Sequence, residues 1–529
     1  MLHQSKKQRF SIMAALIVIA FAFMFSSCWY GAELGTLVKT DNGEVQGFED
    51  GNDTWSWKGI PFAKPPVDDL RWKAPQDPDS WDGVRDATEY CDICPQYDGN
   101  MFGEQTVIGN EDCLYLNIWR PRTQKRNLPV HFWIHGGGNS IGFAVMSDGK
   151  NIAGNGNMVV VTIQYRLGPF GWFTHPGIRH GVNPLDDSGN YGTLDIIKAL
   201  KWVKRNIEAF GGNPHNVMIV GESAGGMNVY TMLISRLANG LFQKAMTESG
   251  GFWTSTVEIA DDEAEAALNS ILAADGLSEV PDGGNVEAYL KGKSTEEIMH
   301  AYTPGAGGII TTSYSPDPMG NRLGGYLDGY VLPLNGRDAL ANPCTYNKVP
   351  MIAGSNKEET KLFFFPLFLG GFMDAATYQE YCINTSNEWI DGAVDTPVTM
   401  MTSNKKQPPI YAYQLNYGAY NEDGYNAWPM YPVPEGLVFG ACHALDVPFF
   451  WGDFAFSPLF ADLFREVNQE GYEGLSDAMM EYVANFAHTG HPGNVDGVLW
   501  KRWSNKEGKP KRILFDANDT DVLIEMSNE

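Results

Sequence analysis

FGGNPHNVMIVGESAGG, residues 210–226, is the stretch on which the fold turns. Val217 to Val220 is a short apolar run that reads as a strand. Beyond Ser223, the residues Met227, Tyr230, Leu233 and Leu237 recur at three- and four-residue intervals, one face of a helix. Strand, tight turn and helix are the setting that a G-x-S-x-G pentapeptide requires, and Gly221-Glu222-Ser223-Ala224-Gly225 supplies it. The logic is steric. Glycines two positions either side of the serine let strand and helix approach closely, while the serine takes up strained backbone. Its hydroxyl then stands above the sheet, where a base and a carbonyl can both reach it. The helix N-terminus behind it favours developing negative charge.

Upstream, residues 194–210 place Ile196, Leu200, Val203, Ile207 and Phe210 on one helical face, and Gly211-Gly212-Asn213-Pro214 ends that helix. Val130 to Ile134 and Met158 to Ile163 read as buried strands. Further strands are expected at Pro350 to Ile352 and Ile410 to Leu415. This alternation predicts an α/β fold: a large, mostly parallel central sheet flanked by helices. The long Gly- and Asp-rich stretches 251–325 and 366–405 are expected as insertions forming a cap or wall over one sheet edge, with acidic helical segments within 255–300. No Ser/Pro linker or internal repeat interrupts the chain, so residues 35–529 are read as one catalytic domain.

His135-Gly136-Gly137-Gly138 directly follows the Val130 strand. Consecutive glycines free backbone N–H groups to converge on one oxygen, and with the Ala224 N–H they could supply three donors to an oxyanion. A nucleophilic serine also needs a base, and the base a carboxylate. Folds carrying this pentapeptide run nucleophile, acid, base along the chain, which leaves His300, His443, His488 and His491 after Ser223. His443 sits in a Gly/Ala-flanked turn. His488 and His491 flank Gly490 and suit a helix C-terminus instead.

The 529 residues carry 43% hydrophobic and 19% charged residues, a globular composition. A net charge of -26 argues against nucleic acid as a partner, since phosphate binding needs a basic footprint. Lys6, Lys7 and Arg9 precede an apolar run from Ile12 to Phe25, too short to span a bilayer comfortably. This is the layout of a secretory signal over residues 1–27. It ends Ser26-Ser27-Cys28, like a bacterial lipoprotein signal in which Cys28 takes the lipid. Cleavage there would bring the net charge to about -29. The protein is therefore expected outside the cytoplasm, in a bacterial periplasm or as an outer-membrane lipoprotein tethered through Cys28. Disulfides then become possible: Cys113 with Cys91 or Cys94 would close a loop of about 20 residues. Cys91-x-x-Cys94 has no second pair at zinc spacing, so no metal is expected.

GIPFAKPP (59–66), LRW (70–72), EDCLYLN (111–117), WIHGGG (133–138), YRLGPFGW (165–172), GNYGTLD (189–195), the 210–226 block, NKEET (356–360), GACHALDVPFFWG (440–452) and NFAHTGHP (485–492) follow one another in order. Together they strongly resemble the type-B carboxylesterase/cholinesterase family of α/β-hydrolases, from about residue 35 to the C-terminus. The resemblance implies Ser223, Glu359 and His443 as the catalytic triad and Gly137, Gly138 and Ala224 as oxyanion donors. Glu222 and Ser249 match family positions close to the site. It further implies a Cys91–Cys113 disulfide, no metal or organic cofactor, and a small-molecule or glycan-linked ester as substrate, cleaved through an acyl-enzyme. The alternatives are a lipase or amidase on the same scaffold, with Phe363 to Phe372 serving either as a lid or, in the favoured reading, as core or pocket wall, and a non-catalytic cholinesterase-like binding module that would lack a working serine. Thr360 stands where the family has glycine, Asn139 where an aromatic is common, and Gln164 where asparagine is usual. The last two are expected to bear on substrate shape. Trp172, Trp253 and Phe363 to Phe365 are candidate pocket residues.

Overall fold

The computed structural model describes residues 33–98, 106–144, 148–302, 324–421, 425–429, 435–455 and 457–529. The expected signal and Cys28 lie outside them. Within Thr36–Glu529, one eleven-stranded sheet organises the chain. Its strands are β1 (Phe48–Asp50), β2 (Thr54–Pro61), β3 (Tyr115–Pro121), β4 (Leu128–Ile134), β5 (Val159–Ile163), β6 (Gly212–Glu222), β7 (Lys244–Glu248), β8 (Met351–Asn356), β9 (Ile410–Leu415), β10 (Arg512–Ala517) and β11 (Val522–Ser527). They lie in the order β1-β2-β3-β5-β4-β6-β7-β8-β9-β10-β11. From β5 to β10 every neighbouring pair is parallel. The antiparallel pairs are at the two sides, β1–β2, β2–β3 and β3–β5 on one and β10–β11 on the other.

The parallel strands are buried on both faces, as their unbroken apolar runs require. Trp133, Val160, Met218, Val220, Met246 and Ile352 turn to one face and join a large core cluster. Leu475, Met479, Tyr482, Val483 and Phe486 enter the same cluster from a helix at Gln469–Thr489. Phe132, Ile134, Val161 and Ile219 alternate to the opposite face and are equally buried. The helices that matter to the site are α1 (Tyr191–Asn206), α2 (Ala224–Ile234), α3 (Val257–Ala274), α4 (Lys361–Leu369) and α5 (Ala375–Ile390). The expected helix over 194–210 is α1 continued by a 3-10 turn, Ile207–Phe210, closed by Gly211 in the left-handed region.

The described parts of the insertions are mostly helical, with a short strand at Ser255–Thr256. Leu268, Ile271 and Leu272 of α3 pack with Leu290, Ile298 and Met299 onto Trp72, Phe170, Phe173 and Tyr191. From the second insertion, Trp389 at the end of α5 donates to the Ser249 carbonyl (3.0 Å), just past β7. That bond sets the second insertion beside the end of β7.

The expected Cys91–Cys113 pair is corrected: Cys94 is joined to Cys113. Asn110 N–H donates to the Ile93 carbonyl (2.8 Å), drawing the 93–94 backbone to the segment that leads into Cys113. Cys91 instead turns its thiol to the Gly59 carbonyl at 3.7 Å.

Candidate active site

β6 delivers Ser223 at φ +55°, ψ -122°, in the strained region that the turn predicts, with α2 starting at the next residue. Its N–H donates to the Glu248 carbonyl at the end of β7 (2.8 Å), and its carbonyl accepts from Met227 N–H (2.9 Å). The glycine requirement is literal. A Cβ on Gly225 would stand 2.0 Å from the Ile134 carbonyl oxygen, and one on Gly221 2.4 Å from the Gly225 carbonyl carbon. The turn thus presses against the end of β4, which continues into the glycine loop. A Cβ on Gly136 would meet Glu222 Oε2 at 2.6 Å and Ser223 Cβ at 3.0 Å. The two motifs, 85 residues apart in sequence, are therefore in van der Waals contact. Ala224 opens α2, where backbone N–H groups have no intrahelical acceptor.

Asn139 and Gln164 are both buried and hydrogen-bonded beside this loop. Asn139 is buried, and its Oδ1 accepts from Asn228 Nδ2 of α2 (2.8 Å) and from the Tyr165 hydroxyl (3.3 Å). Gln164 Oε1 accepts from Ala144 N–H (3.1 Å). Trp172 is core as well, donating to Thr193 Oγ1 of α1.

Glu359 follows β8 and is fully buried. Its Oε2 lies 2.5 Å from Nδ1 of His443. Its Oε1 accepts from the Ser249 hydroxyl (2.5 Å) and Asn356 N–H (2.7 Å). The backbones are tied too: His443 N–H donates to the Glu359 carbonyl (3.1 Å), and Asn356 Nδ2 to the Cys442 carbonyl (2.8 Å). The glycine usual at 360 is not needed, because Thr360 has φ -79°. Its hydroxyl bonds to the Cys382 carbonyl and the Thr385 and Ser386 hydroxyls of α5, anchoring the loop to the insertion.

With Nδ1 engaged, Nε2 of His443 points towards the serine turn. It lies 3.2 Å from Oε1 of Glu222, the residue before Ser223, and has no hydrogen-bond partner among the described residues. Burial depresses the imidazole, but the Glu222 and Glu359 carboxylates outweigh it and push His443 up to about 9. Burial raises Glu222 to about 8 against the opposing pull of His443. Asp446 is raised to about 6 by burial and by Glu359. Its Oδ2 accepts from the Tyr413 hydroxyl (2.5 Å). Phe363 and Trp389 flank the imidazole, with ring centroids 5.1 and 4.9 Å from it, and stack on each other. Trp253 packs edge-on to Trp389. The apolar run beginning at Phe363 lies mostly in α4: one end faces His443, while Leu369 at the other end and Phe372 beyond the helix are exposed.

The other histidines are accounted for. His300 meets the Tyr97 hydroxyl, His488 the Gly156 carbonyl and His491 the Tyr411 hydroxyl, with Gly490 capping the helix between the last two. Of the nearby positions that the resemblance suggested, Ser249 bonds Glu359 and Glu222 faces His443. Trp389 and Tyr413 had no local signal, because each comes from a different element, whereas Asp446 lies three residues after His443 in the same segment.

The carboxylesterase family model matches residues 35–381 and 373–525. The chain belongs to the carboxylesterase family. It is a serine hydrolase of carboxylic esters with the α/β-hydrolase fold. It is similar to the para-nitrobenzyl esterase of Bacillus subtilis (strain 168), 33% identical over 515 residues, 93% of this chain and 96% of that protein. Carboxylesterase 1D of Rattus norvegicus is 32% identical over 85% of this chain and 84% of its own. A solved structure of PNB esterase superposes with a TM-score of 0.75 at 29% identity, covering 93% of this carboxylesterase and 97% of that chain.

Proposed function

We propose that Ser223 is the nucleophile, His443 its base and Glu359 the acid that orients the base. One observation carries this reading: Glu359 holds Nδ1 of a buried imidazole at 2.5 Å, while the unpartnered Nε2 faces the turn that presents Ser223. Ser223 Oγ attacks the ester carbonyl as His443 Nε2 takes its proton. The tetrahedral oxyanion is held by the N–H groups of Gly137, Gly138 and Ala224. His443 returns the proton to the leaving alcohol, and the acyl group stays on Ser223 until water, deprotonated by the same imidazole, releases it. Glu359 keeps the proton-bearing Nδ1 turned away from Ser223 and stabilises the imidazolium. The aromatic surface of Phe363, Trp389 and Trp253 suits an ester with an apolar acyl or alcohol part, either a small molecule or an ester borne on a glycan. A panel of esters varying both parts, run with wild type and Ser223→Ala, tests the reading. The variant should lose at least about a thousandfold in kcat, and wild-type turnover would reject it.

The chain is further proposed to be exported and lipidated on Cys28, which would tether it to a membrane. The basic Lys6, Lys7 and Arg9, the apolar run to Phe25 and the Ser-Ser-Cys ending support this. Metabolic labelling with palmitate should mark the wild type and not Cys28→Ser, and equal labelling of both would exclude Cys28 as the site.

A further inference from the structure

The loop carrying His443 is fastened to the loop carrying Glu359 at a second place, by charges that the triad does not use. Glu358 and Lys361 form an ion pair, Oε1 to Nζ 2.7 Å, with Lys361 fully buried and Glu358 nearly so. The other carboxylate oxygen, Oε2, accepts from Ala441 N–H (3.0 Å) and Tyr420 N–H (3.3 Å). Lys361 Nζ donates to the Gly436 carbonyl (3.0 Å). A Cβ on Gly440, which has φ +54°, would lie 1.9 Å from Glu358 Oε2, so the chain passes directly over the carboxylate. Around this contact, Glu358 N–H donates to the Ala441 carbonyl (2.9 Å) and the Tyr378 hydroxyl to the Val438 carbonyl (2.6 Å). Gln379 Nε2 donates to the Leu437 carbonyl (3.1 Å).

A buried ion pair holds only when its remaining hydrogen-bonding capacity is satisfied. Here that capacity is met largely by the 436–441 backbone. Glu358 adjoins Glu359, and Ala441 lies two residues ahead of His443. A slip of one loop past the other must break the carboxylate's bonds before it can lengthen the Glu359–His443 contact.

We propose that Glu358, held by Lys361, is a positioning residue: its bond to Ala441 N–H sets the register of the His443 loop and so the aim of the imidazole at Ser223. The proposal rests on the triad reading above. Removing only one charge would strand the other, so the test uses pairs. In Glu358→Leu/Lys361→Met the acceptor is lost. Its kcat should fall about 30- to 100-fold with KM within about twofold, the scale of a displaced catalytic group. The far-downfield proton resonance of His443 Nδ1–H should shift or vanish. In Glu358→Gln/Lys361→Met the amide oxygen still accepts from Ala441, and at least about tenfold of the lost kcat and the resonance should return. A folded leucine pair with wild-type kcat and resonance would overturn the proposal, and so would equal losses in both pairs. If the leucine pair does not fold, Gly440→Ala decides, because its methyl group drives the loop off the carboxylate. It should show the same kcat-only loss, and a wild-type kcat would overturn the proposal. Failure of this inference differs from failure of the triad, which would leave Ser223→Ala active.

Discussion

The nucleophile half of the site, residues 135–138 and 221–226, and the acid–base half, residues 356–361 and 440–446, are held by different physics. The first half comes from the ends of two paired strands, β4 and β6. Backbone meets backbone there, with no space for a side chain at Gly136, Gly221 or Gly225. The second half joins the end of β8 to an irregular loop more than 80 residues away. Side-chain hydrogen bonds from Ser249, Asn356 and Glu358 hold it, with aromatic rings packed against the imidazole. A sterically held half needs few partners and tolerates no added atoms. A polar half keeps its fold through an isosteric change but depends for activity on the charge and hydrogen bonds of every member of its network.

Four substitutions test that contrast, from the largest effect to the smallest. Glu359→Gln keeps shape and acceptor but removes the carboxylate from Nδ1. Turnover should fall about 10³- to 10⁴-fold with the fold intact, as stopped-flow ester hydrolysis and circular dichroism would show. Gly225→Ala acts on the other half, where stability and activity should fall together, with about 3 kcal/mol lost in urea unfolding. Full stability in this variant would break the comparison. Cys94→Ala with Cys113→Ala lies outside both halves. It should cost about 3 kcal/mol for a loop with a sequence separation of 19, with kcat unchanged. Glu222→Gln bridges the halves. A neutral imidazole is the proposed active form, so activity is lost as pH falls through the His443 pKa, which the Glu222 and Glu359 carboxylates raise despite burial. Removing one carboxylate lowers that pKa, and the acid limb of the kcat/KM profile should move to lower pH. A shift the other way would remove Glu222 as the cause.

Much of the architecture was legible from pattern alone. Strands read at Val130, Met158, Val217 and Ile410 lie within or alongside β4, β5, β6 and β9, because central parallel strands are continuous apolar runs. The side strands were not legible. β2 and β3 interleave Ser56, Asn117 and Arg120, all buried, among apolar residues. Asn117 is satisfied at long range by Thr162, Arg120 by the distant Phe210 carbonyl together with the nearby Pro121, Thr123 and Lys125 carbonyls, and Ser56 by Asp50, and no strand period reveals that. β10 and β11 form a hairpin whose turn is closed by Asn518 accepting from the N–H groups of Thr520 and Asp521.

The same division runs through the site. The serine turn and the glycine loop are legible in the chain because their geometry depends on missing side chains, and a missing side chain is a local property of sequence. Spacing alone left four histidines open, and the family resemblance pointed to His443 and Glu359. Only the tertiary structure paired Cys94 with Cys113, bonded Asn139 to Asn228, brought Trp389 to the imidazole, and laid Glu358 under the His443 loop. Each of those contacts joins residues from separate elements, and their energy exists only once the sheet has brought those elements together.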